Sequence, residues 1–172
     1  RPAFDPLIVH VGTISAVENY AQHIPGVAFK LMEECWPGPL TLLLPKKKSI
    51  PDLVTSGLDT VAVRMPRHPM TLELLRSLKF PLAAPSANPF GYISPTTALH
   101  VADQLSGKIP YILDGGPCEV GIESTIIGFE DGKSVVYRLG GMALDAIENL
   151  VGKVMVMPGS TSDPRAPGML KS

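Results

Sequence analysis

The chain has 172 residues and a formal net charge of −1; apolar residues make up 45% of it and charged residues 18%. This length and composition suit one globular domain with a large core and exclude an intrinsically disordered protein. The near-zero net charge argues against binding dominated by attraction to nucleic acid or anionic lipid. No apolar run reaches membrane-spanning length and the first residues show no signal-peptide pattern. We expect a reducing, cytoplasmic setting, because the chain has only two cysteines and they are far apart.

In chain order, apolar runs bounded by glycine and proline predict alternating strands and helices through the first half. A strand at 6–11 precedes a helix that starts at Thr13 or Ser15 and ends near residue 22. The elements predicted next are a helix at 27–36, a strand at 40–45, a polar loop, a strand at 60–66 and a helix at 68–78.

The second half begins with a buried strand in "FPLAAPSAN", which leads into a helix at 96–107 closed by Gly107. Asp131-Gly132 predicts a tight hairpin turn between two strands. The remaining predicted elements are strands at 111–116, 124–129 and 134–140 and a helix at 142–152. A hairpin among alternating strands and helices predicts a mixed, twisted sheet with helices on its faces.

Cys35 and Cys118 lie far apart in the sequence, without the spacing typical of metal ligands. This pattern predicts two buried, reduced thiols and argues against a disulfide or a zinc site.

Polar residues stand at the ends of several apolar strands, where ligands bind in open α/β sheets. They are His10, Arg64, Ser86, Asn88, Asp114, Ser124 and Arg138. Each one also has an ordinary explanation, such as a core histidine, a surface ion pair or a turn. Arg64 and Arg138 carry the most weight, because neither has an acidic residue within three positions and a ligand carboxylate or phosphate suits a fixed guanidinium.

The stretch "PLAAPSANPFGYISPT" places short polar side chains on a turn stiffened by prolines. Gly91 allows a close backbone approach, and Ser94 or Thr96 is predicted to cap the following helix, whose N-terminus favours phosphate. The sequence contains neither a P-loop nor a GxGxxG motif. Catalysis that works by positioning two ligands needs no side-chain nucleophile.

Six motifs together resemble one known family over about residues 1–150. They are "RPAFDPLIVHV", "WPGPLTLLLP", "TVAVRMPRHP", "LAAPSANPFGYISPTT", "ILDGGPCEVGIESTII" and "VYRLGG". The chain resembles the threonylcarbamoyl-AMP synthase family, which contains the YrdC-like domain. The resemblance implies an α/β fold of the YrdC/RibB type, with a twisted, mixed, open sheet, helices on its faces and a deep, positively lined cleft.

The resemblance also implies a site. The residues implied on the ATP side are Arg1, Asp5, Thr60, Ser86, Asn88, Ser94 and Arg138. Those implied on the L-threonine side are His10, Arg64, the backbone at Ala84, and Ser124. Arg1, Ser86 and Asn88 match the family's KxR and SxN signature and are the implied catalytic residues, with the lysine preceding this chain. At Asp5 the family usually has asparagine. Mg²⁺ is expected with ATP, its protein ligands being unknown.

The implied reaction is a nucleotidyl transfer that condenses L-threonine, bicarbonate and ATP into threonylcarbamoyl-AMP and pyrophosphate. The product would pass to the tRNA threonylcarbamoyl transferase machinery, which modifies adenosine 37. Two alternatives are an RNA-binding module and a relative acting on another carbamoyl adenylate. We expect a catalytic domain at 1–155 lacking its N-terminal part, a linker at 156–172 toward an absent C-terminal domain, and weak or no activity from this chain alone.

Overall fold

In a computed structural model of the chain, residues 5–157 and 165–169 are described. Within them the strands are β1 (Ile8–His10), β2 (Leu40–Pro45), β3 (Thr60–Arg64), β4 (Leu82–Ala84), β5 (Thr125–Glu130), β6 (Lys133–Arg138) and β7 (Met155–Val156). The helices are α1 (Gly26–Cys35), α2 (Asp52–Thr55), α3 (Pro69–Ser77), α4 (Ala98–Leu105) and α5 (Leu144–Val151), with a 3₁₀ helix at Ser15–Asn19. None of these helices is long and apolar enough to cross a bilayer.

The strands form one mixed sheet in the order β4-β1-β3-β2-β5-β6-β7. β1 pairs with β3 and β2 with β5 in parallel, whereas β2–β3, β1–β4 and β5–β6 are antiparallel. The hairpin between β5 and β6 turns at Asp131 and Gly132, whose φ angles of 49° and 74° suit the twist of a two-residue turn. The predicted mixed sheet is therefore confirmed.

These strand directions bring the ends of five strands together. β1, β3 and β6 run one way and finish at the end of the sheet where β2 and β5 start. His10, Arg64 and Arg138 close their strands there, and Ser124 immediately precedes β5. Four polar residues from distant parts of the sequence consequently share one end of the sheet.

The sheet buries its two faces against different partners. One face packs on α1 and α5 in a cluster that includes Leu31, Met32 and Ile147. The other packs a smaller cluster in which Ala166 and Met169, from the 165–169 segment, are buried. Part of the 156–172 region thus packs on the sheet, while its predicted role as a linker and the domain division stay predictions.

Four predicted features need correction. Residues 111–116 are not a strand, because the segment pairs with neither edge of the sheet, and Tyr111 is 89% exposed. β4 is only half-buried, since it is an edge strand. The helix predicted to start at Thr13 or Ser15 and end near residue 22 is a short 3₁₀ helix, and the polar loop after β2 contains α2. β7 was not predicted, because a two-residue strand has too short a pattern to detect.

Candidate active site

A cleft of about 760 Å³ opens at the shared end of the strands and extends over one face of the sheet. Its volume is typical of small-molecule sites. One side is formed by β1, β3 and β4, and the other by residues 113–123, which we call the wall loop. Among the described residues lining it are three arginines, Arg64, Arg67 and Arg138, and two glutamates, Glu119 and Glu123.

Arg64 presents a charged fork to this cleft. Its Nε donates to the carbonyl oxygen of Gly38 at 3.0 Å, which fixes the guanidinium plane. Its two terminal nitrogens have no hydrogen-bond partner among the residues that the structure describes. Burial lowers the pKa of Arg64, but an arginine remains charged at neutral pH. A partly buried guanidinium with open donors is suited to bind a carboxylate or a phosphate.

His10 lies directly beside Arg64, because the two residues are register partners on adjacent parallel strands. Burial, reinforced by the positive charge of Arg64, lowers the pKa of His10, so the ring is neutral at pH 7. Its Nδ1 lies 3.3 Å from the carbonyl oxygen of Leu82, and a carbonyl can only accept. Nδ1 therefore carries the proton and Nε2 is left as an acceptor.

Ser124, immediately before β5, and Arg138, at the end of β6, are joined by hydrogen bonds. The Nε and Nη2 of Arg138 donate to the carbonyl oxygen of Ser124 at 3.0 and 2.9 Å, and Nη2 also donates to the Ser124 hydroxyl. The buried hydroxyls of Ser124 and Thr41 are 2.7 Å apart. Sequence reasoning assigned Ser124 and Arg138 to different ligands, whereas here they are in direct contact.

Glu123 is a cleft residue that sequence reasoning missed. The Ser94 hydroxyl donates to its Oε1 at 2.7 Å. This hydrogen bond, aided by the charge of Arg138, lowers the pKa of Glu123, so its carboxylate is ionised. The signal available in the sequence was the glutamate in "GIEST", which stands immediately before the predicted site residue Ser124.

The helix cap differs from the prediction. Thr97, and neither Ser94 nor Thr96, caps α4 by accepting from the His100 backbone N–H at 3.2 Å. Ser94 lies three residues before that cap and contacts Glu123, so the helix-terminus argument for phosphate binding at Ser94 is wrong.

The wall loop is held by side chains that directly follow β3. His68 Nε2 lies 3.0 Å from the Gly115 carbonyl oxygen, and Arg67 pairs with Glu119 at 2.7 Å. A Cβ on Gly115 would lie 2.6 Å from the His68 ring, so a side chain at this position would displace the ring from its present place. No local sequence pattern indicates this contact, because Gly115 lies 47 residues from His68.

The two cysteines differ in their surroundings. Cys35 is buried, and burial raises the pKa of its thiol. Cys118 is exposed and lines the cleft, so the prediction of two buried thiols is wrong for this residue. Its backbone N–H donates to the Thr96 carbonyl oxygen at 2.8 Å, which adds a further attachment of the wall loop.

The remaining predicted residues divide into two groups. Ala84 and Ser86 line the cleft together with Ser94. The residues not found on its lining are Asp5, Thr60 and Asn88, while Arg1 lies outside the described residues.

Asp5, Thr60 and Asn88 lie away from the cleft lining, each in different surroundings. Asp5 is buried and its Oδ1 accepts from Gly168 N at 3.4 Å, and Thr60 starts β3 at the end opposite Arg64. Asn88 Nδ2 donates to the carbonyl oxygens of Pro89 and Tyr92, within its own turn. Their ligand roles stay predictions.

A mixed-sheet α/β fold with two half-buried arginines, Arg64 and Arg138, facing one cleft is an arrangement suited to small anionic ligands. The family model Sua5_yciO_yrdC, described as telomere recombination, matches residues 1–140. The chain belongs to this family, and the resemblance seen in its motifs is confirmed.

Curated relatives agree with this assignment. The threonylcarbamoyl-AMP synthase of Pyrococcus abyssi (strain GE5 / Orsay) is 46% identical over 98% of the chain and 51% of its own length. The synthase of Bacillus subtilis (strain 168) is also 46% identical, over 98% of the chain and 50% of its length. A crystal structure of P. abyssi Sua5 in complex with L-threonine has a TM-score of 0.96 and 45% identity, covering 99% of the chain and 52% of that protein. The chain thus spans about half the length of these relatives.

Proposed function

We propose that this chain supplies the catalytic domain for the condensation of L-threonine, bicarbonate and ATP into threonylcarbamoyl-AMP, pyrophosphate and water, with slow or no turnover by the chain alone. The observation that carries the proposal is Arg64, which lines the cleft beside a neutral His10. Its guanidinium is anchored at Nε, and its terminal nitrogens have no partner among the described residues. In support, a 45% identical relative was crystallised with L-threonine, and relatives of 41–46% identity are named threonylcarbamoyl-AMP synthase.

The threonine side of the proposed site is the end of β1 and β3. The amino-acid carboxylate would pair with Arg64, which is the charge-assisted contact that a guanidinium fork makes best. Nε2 of His10 would accept a hydrogen bond from the substrate amine or hydroxyl, since its Nδ1 is committed to Leu82. The Ala84 backbone and Ser124 complete the polar contacts that we infer for this ligand.

The ATP side is the part of the cleft around Arg138, Ser86 and Ser94. The threonine amine would first attack the carbon of bicarbonate, forming a C–N bond and releasing water to give a carbamate. A carbamate oxygen would then attack the α-phosphorus of ATP, and the bond from that phosphorus to the β-phosphate bridging oxygen would break to release pyrophosphate. Arg138 would offset the charge that develops on the phosphates. Holding two ligands in one cleft supplies the proximity on which such a reaction depends.

Mg²⁺ fits this part of the cleft as a partner of the nucleotide. Glu123 supplies one carboxylate at Ser94, and Mg²⁺ in nucleotide sites is commonly held by one or two carboxylates together with substrate phosphates. When bound, the ion would reduce the negative charge of the triphosphate.

We also infer a place for the product. Threonylcarbamoyl-AMP is a reactive mixed anhydride, so a transferase in the same compartment must consume it. This is the tRNA threonylcarbamoyl transferase machinery that modifies adenosine 37, and it makes a cytoplasmic location the expected one.

Calorimetric titration of the chain with L-threonine, ATP and bicarbonate, separately and together, tests the proposal, with pyrophosphate release as the activity measurement. We expect threonine to bind and L-valine, which replaces the hydroxyl with a methyl group, to bind more weakly. Slow pyrophosphate release that requires all three substrates supports the proposal. Binding of tRNA that weakens steeply with salt, without ATP binding, contradicts it and supports an RNA-binding module instead.

A further inference from the structure

Glu123 differs from the other carboxylate of the cleft. Glu119 lies at the rim, where its 2.7 Å ion pair with Arg67 neutralises it. Glu123 forms no ion pair within the described parts of the chain, and its Oε1 accepts from the Ser94 hydroxyl. The cleft therefore contains one ionised carboxylate whose charge is not cancelled by a direct partner.

The surroundings of Glu123 belong to the proposed nucleotide side. Ser94 contacts its carboxylate at 2.7 Å, and Arg138 is close enough for its charge to act on the same group. A triphosphate placed against Ser94 and Arg138 would meet a negative charge at short range. In a partly buried site, such repulsion is much stronger than in water.

The backbone at Glu123 is held in place. Its carbonyl oxygen accepts from the Gly141 N–H at 2.8 Å. Gly140 packs directly on it, since a Cβ at that residue would lie 2.4 Å from the Glu123 carbonyl oxygen. With its backbone fixed and its carboxylate bonded to Ser94, the negative charge stays in the nucleotide part of the cleft.

We propose that Glu123 makes nucleotide binding conditional on a divalent cation, so that the cleft rejects metal-free ATP and accepts Mg-ATP. This inference rests on the proposed function. A cation between the carboxylate and the phosphates turns their repulsion into attraction, and hard oxygen ligands of this kind are those that Mg²⁺ prefers. Glu123 is thus a specificity-determining residue that selects the metal-bound nucleotide.

The test compares ATP affinity by calorimetry in Mg²⁺ and in EDTA, for the wild-type chain and for Glu123→Gln. Glutamine keeps an oxygen that accepts from Ser94 and removes the charge. We expect the affinity of the wild-type chain for ATP to be about tenfold or more lower in EDTA than in Mg²⁺. For Glu123→Gln we expect this ratio of the two affinities to be about threefold or less, because metal-free ATP binds the variant better.

Two further variants separate charge from other effects. Glu119→Gln makes the same chemical change on the wall loop at the rim, and we expect it to keep the wild-type ratio. Ser94→Ala removes the hydrogen bond but leaves the carboxylate, so it should weaken ATP binding and preserve the dependence on Mg²⁺.

The outcomes distinguish this inference from the proposed function. If the wild-type chain binds ATP and Glu123→Gln retains the full Mg²⁺ dependence, or if Glu119→Gln abolishes it equally, the inference is wrong and the proposed function stands. If the wild-type chain binds ATP in neither condition, the proposed function is wrong and the inference falls with it.

Discussion

The two sides of the cleft are built in different ways. The strand side takes its shape from the sheet, in which the central residues of β3, β5 and β6 are almost fully buried. The wall loop has no regular secondary structure, and Leu113 and Ile122 are 66% and 62% exposed. Strand packing therefore determines the position of the arginines, whereas a few polar contacts determine the position of the wall loop. Substitutions on the two sides should have separable effects on folding and on loop order.

The largest expected effect comes from the same substitution made on each side. Ile127→Ala, at a fully buried residue of β5, should reduce the free energy of unfolding by about 2–5 kcal/mol, because it leaves a cavity in the core. Ile122→Ala, in the wall loop, should change it by less than about 0.5 kcal/mol. Urea unfolding measures both. Similar losses of unfolding free energy in the two variants would show that the wall loop contributes to the core, and would contradict the difference between the two sides.

A smaller effect is expected for ligand binding on the strand side. Arg64→Ala should weaken L-threonine binding by about 1.5–3 kcal/mol, because it removes a charged hydrogen-bond donor. Arg138→Ala should mainly weaken ATP binding. Arg67→Ala is the matched control, since its guanidinium is already paired with Glu119, and it should affect threonine binding least. Calorimetric titration with each ligand measures these changes. If either Arg64→Ala or Arg138→Ala weakened the binding of both ligands equally, the assignment of Arg64 to threonine and Arg138 to ATP would be wrong.

On the wall-loop side we expect a local effect of His68. His68→Ala removes the hydrogen bond to Gly115 and should speed amide exchange in the wall loop about fivefold, corresponding to about 1 kcal/mol. His68→Gln can donate to the same carbonyl and should restore much of the protection. Hydrogen-exchange mass spectrometry measures both variants. Equal amide exchange rates in His68→Ala and His68→Gln would show that packing of the ring, and not the hydrogen bond, protects the wall loop.

The smallest expected effect is a pH dependence of stability from His10. Its folded pKa lies below the ordinary value of 6.5, so below pH 6.5 the unfolded state binds more protons and stability falls as pH falls. One such group contributes a slope of at most about 1.4 kcal/mol per pH unit. The pKa of Glu123 is lowered from 4.5, so its similar contribution is lost only at lower pH.

Urea unfolding of the wild-type chain and of His10→Asn across this pH range isolates the histidine. The asparagine amide can donate to Leu82 as Nδ1 does, but it does not titrate. An unchanged slope in the variant would show that other groups cause the dependence.

Sequence patterns predicted the strand side of the cleft well. The strands ending at Arg64 and Arg138 and the turn at Asp131-Gly132 all formed, because alternation, apolar runs and turn residues act locally. The prediction of a strand at 111–116 was wrong for a physical reason. Its apolar run resembles a strand, yet a strand also needs a hydrogen-bonded neighbour, and no local pattern reports whether one exists.

Most of the strands, and the family to which the chain belongs, could be determined from the sequence alone, because both depend on residue types in a fixed local order. Only the tertiary structure decided that Ser124 and Arg138 touch, that Glu123 faces Ser94, and that His68 holds Gly115. Those contacts join residues 14 to 47 positions apart. They depend on strand order and direction, which follow from the packing of the whole sheet and not from any one segment.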